Sequence, residues 1–105
     1  AVVSREAAVV LNDMVRFFER FAAANGDDDR LTRDTIKALR RVGTLQLRLG
    51  RYPEAEQALT KALEMLERRP DEPAELAQVR NDLGVVYRAA GRPLDAQSAH
   101  QEALQ

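Results

Sequence analysis

Sliding the chain 41 residues along itself lays Gly43 on Gly84, Gly50 on Gly91, Arg51 on Arg92, Ala55 on Ala96, Ala58 on Ala99, Ala62 on Ala103 and Leu63 on Leu104. Val42/Leu83, Leu45/Val86 and Glu54/Asp95 are conservative matches in the same register. No other feature constrains the fold as strongly, because a repeated unit of this length buries its apolar face by stacking on its neighbours. The coincidences fall on small and turn-forming residues. Gly43 and Gly84 lie at mid-helix positions, where glycine costs ~1 kcal/mol relative to alanine. Close approach of a neighbouring helix would offset that cost, and Ala55, Ala58 and Ala62 keep the facing surface small enough to allow it.

Residues that punctuate structure stand at Asn25-Gly26, Gly50, Pro53, Pro70, Pro73, Gly91 and Pro93 and divide the chain into five segments. Ala, Leu, Arg, Glu and Gln dominate between them, all good helix formers, and strand-like alternation is missing. The expected fold is all-α, an α-solenoid of consecutive antiparallel helical hairpins. Its five helices are predicted near 4–24, 31–49, 53–69, 73–90 and 93–104.

Val3, Ala7, Val10, Met14, Phe17 and Phe21 recur at helical spacing and predict the buried face of the first helix, with Phe18 widening it. Asn25-Gly26 is expected to close that helix in a left-handed cap. Asp27-Asp28-Asp29 is expected to start the next one, by capping and by charge. The second helix has two apolar stripes, Ala38/Val42/Leu45/Leu49 and Ile36/Leu39/Gly43/Leu47, and so needs neighbours on both sides. Ala55, Ala58, Leu59, Ala62, Leu63 and Leu66 should line the third helix, and Leu76, Val79, Leu83, Val86 and Ala90 the fourth. Pro53 suits the first turn of the third helix.

The pairs Val42-Gly43 and Leu83-Gly84, Tyr87 after them, and the turns Gly50-Arg51-Tyr52 and Gly91-Arg92-Pro93 resemble the tetratricopeptide repeat family. Ala55, Leu59 and Ala62-Leu63, with Ala96, His100 and Ala103-Leu104, complete the pattern over about residues 31–105. Leu39 and Arg80 replace the early Trp of the family pattern, and Gln46 replaces the first aromatic. The period of 41 looks like the longer repeats of kinesin light chains. The resemblance implies a capping helix over 1–26, one repeat over 27–71 and a second, C-terminally incomplete, over 72–105. A second resemblance rests on Phe17-Phe18-Glu19-Arg20-Phe21, Asn25-Gly26-Asp27-Asp28, Arg41-Val42-Gly43 and Leu49-Gly50-Arg51. Together these look like the segment beyond the kinase domain of large bacterial serine/threonine protein kinases. They imply a parent protein, not kinase chemistry in this chain. Ala1 at the start and Ala103-Leu104-Gln105 at the end read as boundaries within something longer.

Cysteine is absent, which excludes disulfides, thiolate nucleophiles and Cys-ligated metals. There is no phosphate-binding loop and no dinucleotide fingerprint. Ser98, Asp95 and the sole histidine, His100, make no triad, because Ser98 and His100 are two apart on one helix and point in different directions. His100 is expected to pack where Leu59 packs in the other copy. No catalytic residue, metal site or cofactor is predicted, and no apolar run reaches the ~20 residues that span a bilayer.

One candidate binding feature remains. Residues 30–51 carry a charge of +6 within a chain of net charge −1. Arg33, Lys37, Arg40, Arg41, Thr44 and Arg48 recur at three- and four-residue steps and share a broad helix face. The resemblance implies that the first helix of each repeat lines a concave groove. Gln78, Asn81, Asp82, Val85 and Arg88 would then be the matching face of the fourth helix. The site so defined comprises Arg33, Lys37, Arg40, Arg41, Thr44 and Arg48 with Asn81 and Arg88. It suits a protein or peptide partner that is acidic or offers a free C-terminal carboxylate. The opposing reading is a face fastened to neighbouring carboxylates. Self-association through exposed end faces is one alternative function. Nucleic-acid binding by the basic helix is another, though the net charge argues against it.

Overall fold

The computed structural model describes residues 5–69, 71–92 and 101. Four helices stand where five were expected: α1 (Arg5–Ala24), α2 (Asp29–Arg48), α3 (Tyr52–Glu67) and α4 (Pro73–Ala89). The fifth helix, over 93–104, and the packing role of His100 fall outside the described residues, apart from the helical Gln101. Among the described residues there is no strand and no helix long and apolar enough to cross a membrane.

Local chemistry accounts for the boundaries. Asp28 is the N-cap of α2: its Oδ1 accepts from the Leu31 N–H at 3.1 Å, and its carbonyl accepts from the Thr32 hydroxyl at 2.9 Å. Gly50 and Gly91 close α2 and α4 at φ of 74° and 78°. After α2, the Gly50 N–H donates to the Leu47 carbonyl and the Arg51 N–H to that of Gln46. After α4, the Gly91 N–H donates to the Arg88 carbonyl and the Arg92 N–H to that of Tyr87. Both are the Schellman turn that only glycine enters cheaply. Asn25-Gly26 is different, and the left-handed cap expected there does not form, since Gly50 and Gly91 alone among the described residues have positive φ. Asn25 closes α1 by donating both its backbone N–H and its side-chain amide to the Phe21 carbonyl.

Packing follows the repeat. The α2–α3 hairpin is the most extensive interface, and α3 then packs against α4. A Cβ on Gly43 would lie 2.6 Å from Leu59 Cγ and 2.9 Å from its Cδ2, so the mid-helix glycine marks the close approach of α2 and α3. The core runs through all four helices: Val15, then Ile36, Leu39 and Val42, then Ala58, Ala62 and Leu66, then Val79, with Phe18 packed against it. Ala55 and Leu59 with Leu83 and Val86 form its continuation. Gly84 is buried as well.

Three apolar assignments need correcting. On α1 the buried row is Leu11 and Val15, with Phe18 half-buried, whereas Val10, Met14 and Phe17 are 57%, 38% and 59% exposed. Rows 10-14-17-21 and 11-15-18-22 are both apolar, and only contact with α2 decides between them. On α2, Leu45 is 41% exposed while Val86, its counterpart on α4, is 1% exposed. Ala90, expected in the core, is exposed in the turn after α4. Conversely Gln46 is fully buried, in the place where the second copy has Tyr87.

Candidate functional site

The basic face of α2 meets α4 at one residue. Arg40 donates through Nε and Nη2 to Asp82 Oδ2 at 3.3 and 3.1 Å, and through Nη1 to Gln78 Oε1 at 3.1 Å. Its Nη1 also lies 4.0 Å from Glu75. This bridge holds α2 and α4 side by side and forms one wall of an open recess of about 460 Å³, lined by Lys37, Arg40, Arg41, Thr44, Glu75 and Gln78. Lys37 and Arg41 are exposed there and make no ion pair among the described residues. The Thr44 hydroxyl donates to the Arg41 carbonyl at 3.1 Å and retains acceptor capacity toward the recess.

Of the eight residues expected at the site, the recess thus gathers Lys37, Arg40, Arg41 and Thr44. Arg33 is drawn into a separate cluster at the α2 start, 3.4 Å from Asp29 and 3.0 Å from Glu72. Arg69 pairs with the same two carboxylates, Asp29 and Glu72. The Glu72 hydrogen bond raises the Arg69 guanidinium above its ordinary value; burial opposes this and Asp29 adds to it. Arg33 therefore serves as a fastening between the start of α2 and the turn before α4. Arg48 and Arg88 are exposed in the last turns of α2 and α4, Asn81 is exposed on α4, and none of the three lines the recess. Glu75 was missed by the sequence reading. Its place one turn before Gln78 was the available signal.

A smaller hollow of about 290 Å³ opens between α1 and α3, lined by Ala22, Ala23, Lys61, Glu64, Met65 and Arg69 among others. Arg69 is spent on Asp29 and Glu72, and Lys61 lies 3.6 Å from Glu64. Among the described residues no group of His, Cys, Asp or Glu could hold a metal ion.

Successive helices, two of them ended by the same glycine cap, packed through small residues and repeated in register, define a helical-repeat protein. The family model of the tetratricopeptide repeat matches residues 34–105, and the chain belongs to that family. The comparisons with curated proteins and with solved structures found no match. Tetratricopeptide repeats are generally non-catalytic and mediate protein–protein interaction.

Proposed function

We propose that this chain is a protein-interaction scaffold whose α2–α4 recess receives an acidic segment of a partner, or its C-terminal carboxylate. The observation that carries this reading is the pair Lys37 and Arg41, two exposed cations without a carboxylate partner among the described residues, beside a recess and next to an arginine whose own charge is already matched. Lys37 and Arg41 supply the charge, Arg41 can grip a carboxylate at two points, and Thr44 and Gln78 offer polar contacts to a peptide backbone. Arg48, Asn81 and Arg88 extend the polar surface along α2 and α4. Following the second sequence resemblance, the parent protein is a bacterial serine/threonine kinase in which this module recruits or positions a partner. The full reading frame around Ala1 tests that part, and a frame without a kinase domain removes it.

The binding reading is tested by titrating a fluorescent Asp/Glu-rich peptide against the chain. Affinity should fall as salt rises, because exposed charges are screened within ~8–10 Å near physiological ionic strength. The double variant Lys37→Glu/Arg41→Glu should lose binding with its melting temperature nearly unchanged, as expected of surface substitutions. Equal binding by a neutral peptide of the same length, or full binding by the double variant, would remove the recess as the site.

A further inference from the structure

The row Val10, Met14 and Phe17 on α1 is an exposed apolar stripe on an element whose other face is already in the core. Phe17 extends it to Phe21, the two rings stacked at a centroid distance of 5.9 Å, and Phe17 meets Phe18 edge-on at 5.5 Å. Adjacent large apolar residues exposed in this way mark an interaction surface, whereas scattered ones need no explanation.

We propose that this stripe is a homodimer interface, in which α1 packs antiparallel against α1 of a second copy about a two-fold axis near Met14. Three features of α1 make the stripe complementary to itself in that direction. Size is the first. Ala7 and Val10 lie at one end and Phe17 and Phe21 at the other, so the antiparallel alignment sets Ala7 against Phe21 and Val10 against Phe17. A parallel alignment would set phenylalanine on phenylalanine and leave alanine facing alanine. Charge is the second. Glu6 and Arg20 are both exposed, have no ion-pair partner among the described residues, and stand about four turns apart on one flank of the stripe. The antiparallel alignment brings each to the other's counterpart, forming two equivalent ion pairs. The third is that Asp13, which nears its own copy at the axis, is already paired with Arg16 at 3.8 Å. A two-fold interface uses the same patch on both subunits, and a patch whose halves complement each other across its midpoint meets that condition.

The test is sedimentation of the 105-residue chain over a range of concentrations, with helicity measured for every variant. The mass should rise from 11.8 kDa toward twice that value. Phe17→Gln should weaken association by at least ~10-fold with α-helical content and melting of the monomer retained. Glu6→Arg alone and Arg20→Glu alone should each weaken it, and the double variant Glu6→Arg/Arg20→Glu should restore it, a rescue that only the antiparallel pairing gives. A chain that stays monomeric throughout overturns the proposal, as it must if another segment of a longer protein covers the stripe. A dimer indifferent to Phe17→Gln, or one whose double variant is as weak as the singles, overturns it too. Acidic-peptide binding at Lys37 and Arg41 is a separate readout, so either proposal can fail while the other stands.

Discussion

Gly43 sets how near α2 and α3 can come. An alanine there regains ~1 kcal/mol of helix propensity but must displace Leu59, itself fully buried, whose Cγ lies 2.6 Å from the new Cβ. Overpacking of this kind costs ~1–3 kcal/mol, and larger side chains have no compensating gain. Gly43→Leu is therefore expected to lower stability by more than ~2 kcal/mol in urea unfolding, with an unchanged slope against denaturant. A variant as stable as the parent would mean that the two helices part freely at this point. Gln46 presents the opposite case. It is fully buried, and neither of its side-chain amide atoms has a hydrogen-bond partner among the described residues. An unpaired buried amide costs ~1–3 kcal/mol, so Gln46→Met, which nearly conserves volume, should raise the unfolding midpoint by ~1 kcal/mol in free energy. A fall in stability would show the amide to be satisfied. Both positions were visible in the sequence, Gly43 by its recurrence as Gly84 and Gln46 as the residue in place of an aromatic. The sequence could mark Gln46 as unusual but not as buried, because burial depends on which faces α2 presents to its neighbours.

The four described helices were legible to within two residues at each end because caps and breakers are local chemistry. Pro53, Pro73, Gly50 and Gly91 act through their own backbone preferences, and Asp28 acts on an N–H three residues away. Removing that acceptor leaves one first-turn N–H without its partner, so Asp28→Ala should cost ~1 kcal/mol in a thermal melt, while Asp28→Asn should keep most of the stability. Equal stability of the Ala variant would assign the start of α2 to the Thr32–Asp28 bond alone. Face assignment was less secure than boundary assignment. On α3 the apolar row is narrow and flanked by Glu56, Gln57 and Lys61, so one orientation is possible. On α1 nearly half the circumference is apolar, and tertiary contact with α2 selects the Leu11–Val15–Phe18 side. The basic face of α2 shows the same limit: spacing put Arg33, Lys37, Arg40 and Arg41 on one helix face, but could not tell that Arg40 meets Asp82 while Arg33 is drawn away to Asp29 and Glu72.

Across the whole molecule the helices make a thin slab, 39 × 34 × 14 Å. Its larger core cluster draws on all four helices through Val15, Leu39, Leu66 and Val79, and Leu63 packs against both it and the smaller cluster of Ala55, Leu59, Leu83 and Val86. A repeat array this short should therefore unfold in one step, with far-ultraviolet helicity and the fluorescence of Tyr52 and Tyr87 lost together. Separate transitions would show α1 or α4 to be an independent unit. The 41-residue period carried the architecture in advance because stacking a unit on its copy leaves few other solutions. The placement of the recess was legible only as far as the family resemblance reached, since the spacing of α2 and α4 depends on how both pack against α3, with the Arg40 bridge joining them across the gap.

The joints of the array are of two kinds. α2 and α4 end in the same glycine cap, with the same two backbone hydrogen bonds, each spanning only a few residues, and after α2 the chain reverses into α3. Between α1 and α2, and between α3 and α4, the connections differ from one another: an asparagine with an aspartate cap in one, a turn closed by Arg69 and Glu72 in the other. The first kind behaves as a rigid knuckle whose angle is fixed by backbone bonds and hardly changes with the surrounding side chains. The second kind has local backbone bonds too, Asp28 N–H to the Asn25 carbonyl and Glu72 N–H to the Arg69 carbonyl, but the α3–α4 joint adds the Arg69, Glu72, Asp29 and Arg33 charges, which salt can screen. A load drawn along the array would therefore be taken up first between α3 and α4, where the bend would respond to salt, while the α2–α3 hairpin kept its shape.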